Sequence, residues 1–265
     1  MATISALPGE SRYKIRVLDR AIRVLSLLSD GKPRSPIEIS EGIALSSSTT
    51  FRILVTLSIY NYVKRDEVSG QYRLGSACLE LARAYQDSND LRKVALPELE
   101  ALRDDTKETV HLAILDKMEI VYLEKLSGLY AIGIMTSRVG GRAPSHCTGV
   151  GKVLLAYQNP ETVRAYFQKH GLPRYTEATI TNLNELLREL ESIRKRGYAF
   201  DNGEHELEVR CIATPIFDLR GEAEAALSVS GPDARMDPLE ANLEMIEKAQ
   251  QTAMSISRQL GYQIK

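Results

Sequence analysis

Residues 35–74 read SPIEISEGIALSSSTTFRILVTLSIYNYVKRDEVSGQYRL, and the caps, turns and apolar spacing in this stretch decide the fold of the first part of the chain. Ser35 can cap a helix that has Pro36 at its first position and Glu38 three residues after the cap. That arrangement satisfies two otherwise orphaned amide donors reciprocally. The helix runs out at Gly42. After Ile43, Ala44 and Leu45, the serines Ser46, Ser47 and Ser48 offer a second cap, and Phe51, Leu54, Val55 and Leu57 continue at helical spacing. Residues 62–65 and 71–74 then read as two short strands around the turn Asp66, Glu67, Val68, Ser69, Gly70, a hairpin signal.

Upstream, Val17, Leu18, Ala21, Ile22, Val24, Leu25 and Leu28 have the spacing of a helix over 13–29 with one buried face, stopped by Asp30 and Gly31. Three helices and a hairpin predict a winged helix-turn-helix over residues 1–75. In that fold the later helix enters the major groove of DNA and the hairpin touches the flanking backbone. Ser47, Ser48, Thr49 and Thr50 are short donors for phosphates or base edges, and Arg52 can contact guanine bidentately or clamp a phosphate. Lys64, Arg65 and Arg73 add positive charge on the hairpin, and Arg20 on the first helix. The plainer reading is that the serines only cap a helix and that Arg52 is solvated. Three serines followed by two threonines exceed what a cap needs, because such residues are mediocre helix formers.

Charge agrees with a nucleic-acid partner. Residues 1–75 hold eleven Lys or Arg against seven acids, a surplus of +4, while the whole chain carries −1, so the remainder totals −5. A local positive surplus favours a polyanion, since phosphate neutralisation and counterion release supply much of nucleic-acid affinity. Arg12, Lys14 and Arg16 precede the first helix and fit either a basic arm or a solvated tail.

The chain's 265 residues suffice for two domains. Its 43% hydrophobic and 26% charged content is ordinary for a globular protein. No apolar run approaches the roughly 20 residues needed to cross a bilayer, and the first residues lack the apolar core of a secretory signal. The expectation is a cytoplasmic protein with no membrane partner. Cys78, Cys147 and Cys211 are odd in number and far apart, which argues against a disulfide framework.

Residues 76–86 read as a linking helix, with the linker placed at 76–90 and a second domain at 91–265. In that domain the pattern predicts a helical stretch to Thr106 interrupted at Pro97, strands over 109–115, 119–126 and 131–136, and helices over 151–157, 160–170 and 185–196. Strands over 210–217 and 224–230 and a last helix over 237–260 follow. The order predicts an α+β domain, an antiparallel meander with helices packed on it. Alternation puts Ser228 and Ser230 on one strand face, and Val209, Cys211 and Ala213 together on another. Gly149, Val150 and Gly151 follow a loop and open a helix, so their exposed amides could hold a carboxylate. Hydroxyls beside an apolar wall and a helix start predict a pocket for a small organic acid.

Other chemistries fit less well. A phosphate-binding Walker loop at GVGK would need glycine where His146 stands and a hydroxyl where Val153 stands; the dinucleotide pattern fails at Leu154. A cysteine enzyme would use Cys147 or Cys211 with His111, His146, His170 or His205 as base, but no local catalytic signature accompanies them. A metal- or redox-responsive regulator using Cys147, Cys211 and His146, with His111 as a further candidate ligand, is the alternative reading, although no closely spaced ligand pair is present.

Residues 197–218, GYAFDNGEHELEVRCIATPIFD, resemble the signature of the isocitrate lyase regulator (IclR) family of bacterial transcription factors, through Gly197, Asp201, Glu204, Cys211, Ile212, Ala213, Ile216, Phe217 and Asp218. Ser48, Thr49, Phe51 and Arg52 resemble the family's recognition helix, with Ser47 in place of a basic residue. Arg20–Ala21 and the YRLG at Tyr72 to Gly75 look like further family landmarks. The resemblance spans nearly the whole chain. It implies a GAF-like effector-binding domain behind the winged helix, no cofactor and no enzyme activity. It also implies a repressor or dual regulator acting as a homodimer or tetramer on a palindromic operator in double-stranded DNA. Through HCTGVGK at His146 to Lys152, the signature and SVSGP at Ser228 to Pro232, it implies an effector site of Ile132, Met135, Ala143, Gly149, Val150, Asp201, Val209, Cys211, Ser228 and Ser230 for small acids or aromatic ligands. Glu208 stands where the family has glycine.

Overall fold

The computed structural model describes residues 14–88, 90–129 and 135–263, and the chain divides into two compact units, Met1–Ser88 and Asn89–Lys265.

The first unit runs α1 (Arg16–Leu28), α2 (Pro36–Gly42), α3 (Ser47–Ile59), β1 (Val63–Arg65), β2 (Tyr72–Leu74) and α4 (Ser76–Ser88). Its core gathers Val24, Leu28, Ile39, Ile43, Ile53, Leu54, Leu57, Val63 and Tyr72. The box at the start of α2 forms as its sequence dictates: Glu38 N–H donates to Ser35 Oγ at 3.3 Å, and Ser35 N–H donates to the Glu38 carboxylate at 2.7 Å. Ser46 caps α3, accepting from Thr49 N–H at 3.4 Å. The antiparallel β1–β2 hairpin turns on Asp66, whose Oδ1 accepts from the amides of Val68 and Ser69 at 3.1 and 2.8 Å. Gly75 ends the hairpin where a Cβ would come within 2.0 Å of the Asn61 carbonyl, so only glycine fits there.

The spacing of α1 predicted one buried face, and the structure corrects it. Val24 and Leu28 are buried, whereas Val17, Leu18 and Ile22 are more than half exposed. The core of this small unit is wide enough to cover only the C-terminal half of the helix. Arg12, of the expected arm, lies outside the described residues; Lys14 pairs with Asp19 at 2.6 Å.

The second unit is α+β. It comprises α5 (Asp90–Thr106), β3 (Thr109–Asp116), β4 (Glu119–Leu126), β5 (Arg142–Pro144), α6 (Gly149–Ala156), α7 (Pro160–His170), α8 (Leu183–Arg196), β6 (Ala199–Asn202), β7 (Val209–Phe217), β8 (Ala223–Pro232), the single turn α9 (Asp233–Met236) and α10 (Leu243–Gln259). Six strands form one antiparallel sheet in the order β5-β4-β3-β8-β7-β6. The expected meander is therefore two meanders, β3-β4-β5 and β6-β7-β8, joined through β3 and β8.

Two-residue alternation gives the sheet two unlike faces. Val110, Leu112, Ile212, Ile216, Leu227 and Val229 pack against Leu99 of α5 and Ile246, Ala253 and Ile256 of α10. The intervening residues, among them His111, Ala113, Cys211, Ala213, Ala226, Ser228 and Ser230, are small or polar. Ala113, Ala213 and Ala226 form a second core with α6, α7 and α8. Burial of large aliphatics anchors one face and leaves the other free to be shaped into a site.

Three expectations change, and two strands went unanticipated. Pro97 does not interrupt α5, because the buried stripe Leu91, Ala95, Leu99 and Leu102 carries the helix past it. The expected strand over 131–136 falls mostly outside the described residues, and its described end, Met135 and Thr136, is not strand. The last helix starts late: Pro238 and a short 3-10 turn at Leu239–Ala241 precede it, and Asn242 caps it by accepting from Met245 N–H at 3.4 Å. Strands β5 and β6, of three and four residues, were too short to carry a periodic signal. Among the described residues no single helix is long and apolar enough to cross a membrane.

Candidate functional sites: a helix-and-wing face and an effector cavity

In the first unit, burial fixes the rotational phase of α3. Thr50, Ile53, Leu54 and Leu57 face the core, which turns Ser47, Ser48, Phe51, Arg52, Val55 and Thr56 to solvent. Ser47, Ser48 and Arg52 thus lie together on the exposed face, as expected of contacts. Thr49 is half-buried and its hydroxyl accepts from Ser46 Oγ at 2.9 Å. Thr50, expected among the contacts, is 0% exposed and presents nothing to a duplex; its position one turn before Leu54 forces it inward. Lys64, Arg65 and Arg73 are exposed on the hairpin, and Arg20 is half-buried on α1. The sequence spacing had grouped Phe51 with the inward apolar residues, yet it is 56% exposed.

In the second unit the polar face of the sheet, the start of α6 and residues 135–143 enclose a cavity of about 300 Å³. Met135, Ala143, Gly149, Val150, Asp201, Val209, Cys211, Ser228 and Ser230 all line it; Ile132 lies outside the described residues. Strand register sets their order. Ser228 lies between His111 of β3 and Ala213 of β7, and Ser230 between Thr109 and Cys211, with Asp201 of β6 beyond Cys211. Gly149 brings α6 down onto this floor: a Cβ there would meet those of Ala213 and Cys211 at 3.2 and 3.4 Å. The first turn of α6, with its amides, therefore lies against Cys211 and Ala213 of β7 and lines the same cavity as Ser228 and Ser230. Thr148, the N-cap residue, makes no side-chain cap bond to those amides, because its hydroxyl donates to the Pro144 carbonyl at 2.8 Å. A helix start in that state suits an anionic group.

Sequence reading missed several lining residues, including His111, Tyr122, Thr136, Ser137, Arg138, Arg142, His205 and Glu206. His111 was weighed only as a base or metal ligand, since nothing local shows that β3 pairs with β8. Its Nε2 bonds Ser137 Oγ at 2.9 Å, while Nδ1 lies 3.3 and 3.4 Å from the hydroxyls of Ser228 and Ser230. Burial, with Lys125 nearby, pushes its pKa down to about 3, so it is a neutral hydrogen-bonding group. Residues 135–137 are tied across the cavity. Lys125 Nζ donates to the carbonyls of Met135 and Ser137 at 3.3 and 2.6 Å, and Thr136 N–H donates to Glu206 Oε1 at 3.0 Å.

Beneath Asp201, Lys152 of α6 pairs with Glu204 in the interior, and Glu204 N–H donates to Asp201 Oδ1 at 2.8 Å. Burial, then the neighbouring Glu204 carboxylate, raise the Asp201 pKa to about 7. Burial likewise raises the thiols of Cys147 and Cys211. A neutral thiol, here accepting from Ser230 Oγ at 3.0 Å, is a poor nucleophile. The cavity takes in Cys211 but neither Cys147 nor His146, whose Nε2 is engaged by the Pro173 carbonyl at 3.0 Å. Among the described residues no three His, Cys, Asp or Glu side chains gather to hold a metal. The arrangement is one for holding a small polar molecule.

Residues 17–67 match the IclR helix-turn-helix domain, and residues 83–258 match the bacterial transcriptional regulator IclR C-terminal domain. The chain belongs to the IclR family. Among its IclR-family relatives, the HTH-type transcriptional regulator XynR of Escherichia coli (strain K12) is 36% identical over 250 residues, covering 94% of this chain and 98% of that protein. The crystal structure of Thermotoga maritima IclR superposes with a TM-score of 0.74 at 34% identity, over 94% of this chain and 100% of that one. An IclR homolog from Microbacterium hydrocarbonoxydans, complexed with 4-hydroxybenzoate, gives a TM-score of 0.80 at 31% identity, over 92% and 98% of the two chains. IclR-family proteins are transcriptional regulators rather than enzymes, and this chain carries both the helix-turn-helix domain and the C-terminal domain of that family.

Proposed function

We propose that the protein represses, or both represses and activates, its target promoters in the cytoplasm. In this reading the winged helix-turn-helix of residues 1–75 grips DNA through Ser47, Ser48, Arg52, Lys64, Arg65 and Arg73, with Thr49 and Arg20 nearby. A linker at 76–90 joins it to the effector domain of 91–265, which takes a small organic acid or aromatic acid. The observation that carries the effector reading is the convergence of the α6 start with Ser228, Ser230, Cys211 and Asp201 in one cavity. There the helix amides receive a carboxylate, the serines and His111 hold it laterally, and Met135, Val150 and Val209 meet its apolar part. The Microbacterium homolog's 4-hydroxybenzoate, a small carboxylate, supports this class of ligand.

The chain works as a homodimer or tetramer on a palindromic operator, because a two-fold pair of recognition helices reads two equivalent half-sites. Val17, Leu18 and Ile22, exposed along α1 among the described residues, support self-association. A thermal-shift screen of small aliphatic and aromatic carboxylates tests the effector reading, because a ligand of the folded state raises the melting temperature. At least one carboxylate is expected to stabilise the wild type but not a Ser228→Ala, Ser230→Ala double variant. Equal stabilisation of both proteins would place the ligand elsewhere.

A further inference from the structure

Phe51 stands in water, 56% exposed, on the face of α3 that carries Ser47, Ser48 and Arg52. It cannot turn inward, because the buried residues Thr50, Ile53, Leu54 and Leu57 fix the phase of the helix. Ser47 and Ser48 precede it by four and three residues, so the three side chains share one surface patch, flanked by Arg52. Phe51 belongs to the first turns of α3, the end of a recognition helix that meets base edges. Val55 and Ile59 continue the exposed apolar stripe away from that end.

Guanine, adenine and cytosine present donors and acceptors to the major groove, for which a phenyl ring has no partner; thymine adds an apolar C5 methyl. Burying the ring against that methyl removes apolar surface of both from water. We propose that Phe51 is a specificity-determining residue that reads a thymine methyl in each half-site. Ser47, Ser48 and Arg52 supply the polar contacts around it. This rests on the reading of α3 as the helix that meets DNA.

The test selects duplexes from a random pool with the full-length protein, then replaces each thymine of the best duplex in turn by deoxyuridine, which deletes only the C5 methyl. At one thymine per half-site the replacement is expected to weaken wild-type binding about fourfold, the worth of one buried methyl. Phe51→Ala should bind the thymine duplex correspondingly less well and be indifferent to uracil at that position. If Phe51→Ala melts early, Phe51→Gln at the same exposed position serves the same comparison. Indifference of the wild type to every uracil, or a variant that still discriminates, overturns this assignment while leaving DNA binding intact. Failure to select any duplex overturns the DNA-binding reading and this assignment with it.

Discussion

Lys64 and Arg73 face each other directly across the β1–β2 hairpin, and both are exposed. Like charges in that relation repel and weaken a hairpin. The turn carboxylate Asp66 accepts from the amides and hydroxyl that shape the turn, and its charge only partly offsets that of Arg73. A phosphate backbone passing the wing would convert this repulsion into attraction. Lys64→Ala and Arg73→Ala should therefore leave the melting temperature unchanged or slightly raised while weakening duplex binding. Each should make the log–log salt dependence shallower by about 0.9 for every phosphate that is no longer neutralised. An unchanged slope in both variants would remove the wing from the interface.

Arg52 and Thr50 lie two residues apart on α3 and should behave oppositely. Arg52→Ala is expected to cost at least about fivefold in duplex affinity with the fold intact, the lower end of the range for removing an arginine–base contact. Thr50 Oγ1 is buried without a hydrogen-bond partner. Thr50→Val removes that stranded hydroxyl at nearly constant shape and should stabilise the N-terminal unit by about 1 kcal/mol, leaving duplex affinity alone. Chemical denaturation and fluorescence anisotropy on the same two variants check both statements; loss of DNA binding by Thr50→Val would contradict the burial argument.

Asp201 makes stability depend on pH. Its carboxyl titrates near 7 in the folded protein against an ordinary 3.8, so the native state keeps a proton that the unfolded chain releases. The charged form therefore costs stability as pH rises from about 4 to about 7, and the full cost stands above that. Asn at this position keeps the oxygen that accepts from Glu204 N–H and cannot ionise. Asp201→Asn should gain stability over the wild type between pH 5 and pH 8, by on the order of a few kcal/mol across the interval. A stability difference independent of pH would show that Asp201 is ionised throughout.

Much of the fold was legible because local rules decided it. The box at Ser35 and Glu38, the cap at Ser46, and the alternation in β7 and β8 each depend on residues a few positions apart. Nine of the ten expected effector residues line one cavity, and the tenth, Ile132, falls outside the described residues. What the sequence hid was long-range or dependent on how far a core extends. His111 reaches the serine row only because β3 pairs with β8, more than a hundred residues later. Glu206 and Thr136 meet from loops seventy residues apart. Phe51, Thr50 and the exposed end of α1 were misread because apolar spacing marks a helix without stating which residues the neighbouring helices cover.

A small acid held by Ser228 and Ser230 is expected to change the grip of α3 on DNA, a coupling that a ligand can exert only by favouring one of two arrangements of the regulator. Its most direct test is fluorescence anisotropy of a selected duplex with the full-length protein, titrated with a carboxylate that raises its melting temperature. The duplex Kd is expected to shift at least about fivefold with ligand in the wild type, the usual scale of allosteric coupling, and not at all in Ser228→Ala with Ser230→Ala. A stabilising ligand that leaves the wild-type Kd unchanged, or shifts it equally in the variant, would show that the serine pair does not couple ligand to DNA.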